Sequence, residues 1–182
     1  MSGGGFLLRP AAEGDIAAIQ RIYAGHVLTG LASFEEVPPA ADEIRRRWRA
    51  IADLGLPYIV AVAGDALAGD VLAGYAYAGP YRPRTAYRFT VEDSIYLDPA
   101  FQGRGIGRSL LAALIAEATR LGKRQMIAVI GDSANVASIG LHRSLGFAAS
   151  GVFEAVGFKF GRWVDSVLMQ RALGPGAATL PD

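Results

Sequence analysis

Segments whose apolar residues recur at every second position alternate along this chain with segments whose apolar residues recur every third or fourth. That alternation limits the fold more than any other feature. A strand shows one face every second residue and a helix about every 3.6, so a chain that keeps switching period builds a sheet with helices laid on it. Residues 6–10 read as a first strand. Ile16, Ile19, Tyr23 and Val27 then fall at helical spacing, with Asp15 in the first turn, where a carboxylate suits the helix dipole. A second helix is expected from Asp42, acting as its cap, to the Gly55 stop before Pro57.

Residues 58–62 and 71–78 are β-branched and aromatic, with Gly64 and Asp65 available for a hairpin turn. Pro80 and Pro83 remove ladder donors and mark residues 79–84 as a surface loop. Residues 88–97 return to strand chemistry, which Pro99 ends. Leu110, Leu111, Leu114, Ile115 and Leu121 build one face of a helix stopped by Gly122. Residues 125–130 form a short apolar strand, Asn135 caps a helix that runs to Leu145, and residues 164–171 form a last strand. The organisation expected is one domain over residues 1–172, followed by a disordered tail over 173–182.

With 52% apolar and 19% charged residues and a net charge of +1, the chain carries no basic stripe suited to a nucleic-acid partner. Arg45, Arg46, Arg47 and Arg49 form its nearest approach to one. They sit on a helical pattern whose apolar residues Ile44, Trp48 and Ile51 point elsewhere, which makes them a solvated face. There is no cysteine, so disulfides, thiolate nucleophiles and cysteine zinc sites are excluded. No leader-like start and no run of ~18 apolar residues is present, so a cytoplasmic location without membrane partners is expected.

The chemistry concentrates in Gln102-Gly103-Arg104-Gly105-Ile106-Gly107, between the end of a strand and the start of a helix. Glycines there let backbone approach a ligand closely, and unpaired amides at the helix start donate to phosphate oxygens. Arg104 and Arg108 add positive charge, which makes the segment a pyrophosphate cradle. It is not a P-loop, since Gly-Lys-Ser/Thr is absent, and its glycines fit neither register of a dinucleotide fingerprint.

Gln102 to Gly107, then Asn135, then Leu141-His142-Arg143-Ser144-Leu145-Gly146-Phe147, together resemble the GNAT superfamily of acetyl-CoA-dependent acetyltransferases. Ala76-Tyr77-Ala78-Gly79-Pro80, Thr90-Val91-Glu92-Asp93-Ser94-Ile95-Tyr96, Ala128-Val129-Ile130-Gly131 and Gly157-Phe158-Lys159-Phe160-Gly161-Arg162-Trp163 are similar to its phosphinothricin and methionine sulfoximine/sulfone acetyltransferase branch. One extra residue stands between Ile130 and Asn135 relative to that branch.

The resemblance implies an α/β GNAT (acyl-CoA N-acyltransferase) fold, with a mixed, mostly antiparallel sheet flanked by helices. It implies acetyl-CoA as co-substrate, no metal, an amino-acid-like acceptor and a homodimer. Acetyl-CoA would bind Ile95, Tyr96 and Leu97 on a splayed strand, then Gln102, Gly103, Arg104, Gly105, Ile106, Gly107 and Arg108, and Asn135. Glu92 would be the base that deprotonates the amine, and His142 the group that reprotonates the thiolate. The acceptor would meet Arg82, Pro83 and Arg84, whose guanidinium groups suit a carboxylate, together with Glu92, Asp93, Ser94, Phe34 and Tyr87. Trp163 is a further candidate wall. The competing readings are a GNAT enzyme for protein N-termini or other amines, and a non-catalytic acetyl-CoA sensor.

Overall fold

The computed structural model describes residues 5–65 and 69–181. The order is β1 (Phe6–Pro10), α1 (Ile16–Thr29), α2 (Ala41–Asp53), β2 (Tyr58–Asp65), β3 (Gly69–Pro80), β4 (Thr90–Leu97) and α3 (Ile106–Arg120), then β5 (Gln125–Gly131), α4 (Val136–Ser144), β6 (Ala148–Lys159) and β7 (Arg162–Ala172). The strands form one 7-stranded sheet in the order β1-β2-β3-β4-β5-β7-β6. Every neighbouring pair is antiparallel except β4 with β5. Those two are joined through α3, and a helical crossover is what returns a chain to run parallel.

Alternation along the central strands feeds a core on each face of the sheet. Along β2, Ile59 and Ala61 join the cluster that holds Leu110, Leu111 and Leu114 of α3, while Val60 and Val62 join Ile16, Ile19 and Val27 of α1. Each fully buried leucine of α3 contributes roughly 1.5–3 kcal/mol by leaving water. No helix among the described residues is long and apolar enough to cross a membrane.

Several boundaries differ from expectation. Ala40, not Asp42, is the N-cap of α2, with no side-chain cap bond; Asp42 lies in the first turn, paired with Arg45. Gly64 and Asp65, expected in the hairpin turn, are instead the end of β2, paired with Asp70 and Gly69; residues 66–68 lie outside the described residues. Gly79 and Pro80 complete β3 opposite Glu92 and Val91, and the loop begins at Tyr81. The tail expected to be disordered is placed as far as residue 181. Arg124 donates to the carbonyl of Gly176, to Thr179 Oγ1 and to the carbonyl of Leu180, and Leu173 is buried.

The arginines of α2 are paired with carboxylates: Arg45 and Arg49 with Glu13, Arg46 with Glu43, and Arg47 with Glu35 and Glu43. β6 has no counterpart among the expected elements. It is an edge strand, exposed along nearly its whole length, with register shifts at Ala149/Gly151 and Phe153/Gly157 that erase the two-residue period.

The loop between α1 and α2 is fixed from the far end of the sheet. Lys159 of β6, almost fully buried, donates from Nζ to the carbonyls of Gly30 at 2.9 Å and Ser33 at 2.7 Å. A Cβ at Gly131 would sit 2.1 Å from the Leu31 carbonyl oxygen, and one at Gly157 would sit 2.5 Å from the Phe34 ring. These glycines are needed for space, since Gly131 is buried under backbone that cannot give way. Gly131→Ala should therefore cost ~1–3 kcal/mol of unfolding free energy, the range for overpacking. Gly140→Ala, in the open middle of α4, should gain ~0.5–1 kcal/mol. Urea unfolding of both variants checks the pair.

Candidate active site

β4 and β5 share a ladder only from Thr90–Gln125 to Asp93–Ala128. Beyond it, Ser94 to Leu97 pair only with β3, and Val129 to Gly131 only with β7. The sheet is thus split, and each strand turns an edge toward a slot of about 60 Å³ bordered by Asp93, Ser94, Asn135, Ser138 and His142. The Leu97 carbonyl accepts from His26 Nε2 at 2.8 Å, so α1 takes up one of the polar groups freed by the split.

A groove of about 780 Å³ runs from the slot along the start of α3 and across Asn135 and Leu141. A cavity of about 790 Å³ lies on the other side, bounded by Tyr23, Phe34, Glu35, Tyr77, Arg82 and Glu92. Ala32 and Gly131 border the groove, the slot and the cavity alike, so the slot joins the other two spaces.

The groove floor is built as its glycines dictate. Asp98 caps a 3-10 turn by accepting from Ala100 N at 3.0 Å, after which Gly103 (φ +73°) and Gly105 (φ +80°) take left-handed conformations. Gly105 is the N-cap of α3, so the first-turn amides have no partner within the helix. Gln102, Gly103, Gly105, Gly107 and Arg108 line the groove with Ile95 and Leu97. Arg108 is anchored by donating to Ser144 Oγ at 2.6 Å.

Three expected ligands of this groove stand elsewhere, Tyr96 among them, facing the cavity on the other side of the slot. The Ile106 side chain is buried in the core, leaving only its backbone to serve a ligand, and the Arg104 guanidinium stacks over the Phe101 ring at 5.1 Å. Asn135 Oδ1 caps α4 by accepting from Ser138 N at 3.2 Å. Just before it, Asp132 adopts φ 71° and its carbonyl accepts from Asn135 N.

In the cavity, Glu92 has its pKa raised above the ordinary 4.5, by burial first and the neighbouring charge of Asp93 second, with Arg82 opposing. Ser94 and Tyr96 line the same cavity, as period two requires for a strand that presents Glu92 there. Asp93, expected to meet the acceptor, faces the other side of the sheet and bonds His142. Arg82 lines the cavity, whereas Arg84 and Pro83 are exposed beside it and do not. Tyr87 stands edge-on behind Tyr81 at 5.6 Å, Phe34 is a true wall, and Trp163 packs on Phe158 away from the cavity.

Sequence reasoning missed Tyr23, Ser33, Glu35 and Tyr77. The Tyr23 hydroxyl bonds Ser33 Oγ at 2.9 Å and donates to Glu35 at 3.1 Å, and Arg47 donates to the same carboxylate at 2.6 Å. The helical spacing of Tyr23 read as core, and nothing in Phe34-Glu35-Glu36 follows a motif. Among the described residues no cluster of His, Asp and Glu is placed to hold a metal.

A family model for the acetyltransferase (GNAT) family matches residues 21–147. The chain is 54% identical over 175 residues to a phosphinothricin N-acetyltransferase of Alcaligenes faecalis, covering 96% of this chain and 86% of that protein. It is 42% identical over 171 residues to the L-methionine sulfoximine/L-methionine sulfone acetyltransferase of Salmonella typhimurium, covering 94% and 96%. Its structure matches that of a GNAT superfamily phosphinothricin acetyltransferase from Sinorhizobium meliloti in complex with AcCoA. The TM-score is 0.92 at 50% identity, covering 97% of this chain and 93% of that one. The chain belongs to the acetyltransferase (GNAT) family.

The raised pKa of Glu92 has a consequence for stability. A group whose folded pKa lies above its unfolded value contributes stability that is complete below the unfolded value and lost as pH rises through the folded one. Glu92→Gln removes that loss, so at pH 7 the variant should unfold at a higher urea midpoint than the parent. At a pH of about 3, more than a unit below the ordinary 4.5, the parent carboxyl is protonated in both states and the two midpoints should coincide.

Proposed function

We propose that this protein transfers the acetyl group of acetyl-CoA to the α-amine of a small amino-acid-like acceptor, of the phosphinothricin, methionine sulfoximine or methionine sulfone kind. The observation that carries the reading is the slot: it joins a cavity holding Glu92 and Arg82 to a groove built on the α3 amides. The names of the relatives at 54% and 42% identity support the acceptor class, and the neighbour solved with AcCoA supports the co-substrate.

The residues present fit acetyl-CoA. Left-handed Gly103 and Gly105 leave the backbone bare at the helix start, where unpaired amides and Arg108 suit a pyrophosphate. The free edges of β4 and β5 suit the amides of a pantetheine arm. Acetyl-CoA supplies the thioester that the acceptor amine attacks. Glu92, with its raised proton affinity, takes a proton from the amine, directly or through water. An amide on the split edge of β4 stabilises the oxyanion, an effect worth ~3–4 kcal/mol in acyl transfer. His142, at the slot, protonates the departing sulfur. Arg82 grips the acceptor carboxylate, and the tyrosine and Phe34 walls shut out water.

Dependence on acetyl-CoA goes with action in the cytoplasm. A homodimer is supported by the exposed row Phe153, Val156, Phe158, Phe160 and Trp163 on the edge hairpin, where Phe153 and Val156 also border the acceptor cavity. Sedimentation at micromolar concentration should give twice 19.1 kDa, and Phe158→Asp should return the monomer mass.

The acceptor reading is tested by CoA thiol release with methionine sulfone and with its decarboxylated amine. The amino acid should be preferred roughly ten- to a hundred-fold in kcat/KM, since an unmatched charge-assisted bond costs ~1.5–3 kcal/mol. Arg82→Ala should bring the two substrates together and Arg84→Ala should not. Glu92→Gln should lower turnover by ~10²–10⁴ in the same assay. Equal rates for both amines in the parent protein would sink the amino-acid reading.

A further inference from the structure

The side chains of His142 and Asp93 are 5% and 2% exposed, and the imidazole Nε2 lies 2.9 Å from Asp93 Oδ2. On the other side of the ring, Nδ1 lies 2.8 Å from the Ser138 carbonyl oxygen, which can only accept, so Nδ1 carries a proton. The second carboxylate oxygen, Asp93 Oδ1, is buried and has no partner among the described residues.

An ionised carboxylate held this way costs several kcal/mol unless a charge compensates it, and the imidazole is the group in contact. A proton on Nε2 as well as Nδ1 supplies that charge.

Ser138 Oγ stands 3.4 Å from Nδ1, farther than the carbonyl that holds it at 2.8 Å, and the remaining neighbours among the described residues make no hydrogen bond to the ring. Phe147 presents its edge at 5.0 Å, Arg108 of α3 is committed to Ser144, and β5 gives the slot only uncharged residues such as Ala128 and Ile130. Burial opposes a charged imidazole, but the hydrogen bond and charge of Asp93, with the Ser138 carbonyl, outweigh it and leave the pKa raised.

We propose that Asp93 is a positioning residue for acetyl transfer, holding His142 as an imidazolium with its ring fixed from both nitrogens at the mouth of the β4–β5 slot. The inference rests on the acetyl-transfer reading above. In that reaction the amine nitrogen bonds the thioester carbon and the carbon–sulfur bond breaks. The amine, having shed its ammonium proton to solvent, gives up one further proton to Glu92 as the amide forms, and the Nε2 proton of His142 passes to sulfur. The ring is left neutral, with Nδ1–H still on the Ser138 carbonyl and Asp93 still ionised. Solvent then carries a proton from Glu92 back to His142, and the site is reset.

Asp93→Asn keeps the shape and can donate an amide hydrogen to a neutral Nε2, so it removes the charge while leaving a hydrogen bond. The chain has 2 histidines, so imidazole nitrogen NMR resolves each ring, with His26→Gln to assign them. At pH 7 the parent should show both His142 nitrogens protonated, and Asp93→Asn should show the neutral Nδ1–H form. In kinetics, the basic limb of the kcat profile should move to lower pH in Asp93→Asn. Above the limb, kcat should fall about tenfold for each pH unit moved, with acetyl-CoA affinity unchanged.

A neutral His142 ring in the parent protein at pH 7 overturns the proposal, and that arm needs no variant to fold. A kcat loss in Asp93→Asn that is the same at every pH overturns it too, because a merely structural role predicts that result. The spectrum decides the charge of the ring without turnover, so a failure of the acetyl-transfer reading, seen as no thiol release by the parent protein, is visible separately.

Discussion

Parallel strands that stop pairing partway along their length strand polar backbone groups between them, and a fold that keeps such a gap must hold its edges apart. β4 and β5 part after Asp93 and Ala128, in the middle of the sheet. The edges are kept separate from several directions. His26 of α1 donates to the Leu97 carbonyl, the Leu31 backbone presses on Gly131 where no Cβ stands, and buried Lys159 ties the loop that carries Leu31 to the far hairpin. The acceptor wall, the slot and the groove are consequences of this one separation. The α1–α2 loop forms part of each, and it is held by Tyr23 of α1, Arg47 of α2 and Lys159 of β6.

The burial of ionisable groups follows the same line. The tyrosines facing α1 and α2 stack in a sheet-borne layer, Tyr58 on Tyr77 at 4.9 Å and on Tyr75 at 5.7 Å, and Tyr96 meets Tyr23 edge-on at 5.0 Å. Burial drives the pKa of Tyr58, Tyr75 and Tyr96 further above a value at which a phenol is already neutral, and of these Tyr96 lines the cavity. A neutral aromatic floor lowers the local dielectric, and a carboxylate set above it, Glu92, resists ionisation for that reason. Under the proposed mechanism the stability lost by holding an ionised Glu92 there is the counterpart of its use as a base, a local cost that a core of leucines and valines on both faces readily offsets.

How far the sequence reveals this depends on whether a feature is local. The faces of α1 and α3, the Asn135 cap and the glycine turn before α3 are written in short spacings and are present, except that Leu121, expected on the α3 face, is its exposed C-cap. β6 was invisible because its residues are exposed on both sides and its register shifts twice, so no period survives. Arg82 and Arg84 are indistinguishable in sequence, since a loop has no period and only the turn at Thr85–Tyr87 sends them different ways. Tyr23, Ser33 and Glu35 form a hydrogen-bonded group only because Lys159, 126 residues from Ser33, fixes the loop, and no pattern of neighbours encodes that contact. The placement of Asp93 among acceptor residues fails on a rule that was available: neighbours in a strand point to opposite faces, so Glu92 and Asp93 cannot share a cavity.

That rule also explains why two adjacent carboxylates can do different work at one split. Glu92 projects to the acceptor side, over aromatic rings and short of donors, and its proton affinity rises. Asp93 projects to the opposite side, onto an imidazole that supplies the charge it needs, and His142 gains affinity for its proton in turn. The two effects are linked, because the negative charge of Asp93 that favours a charged ring on one face also disfavours an ionised Glu92 on the other. Under the proposed mechanism the imidazolium offsets part of that charge, so burial stays the first cause of the raised Glu92 pKa. The link needs no long-range network, only the two-residue alternation of a strand and the point at which its neighbour leaves it.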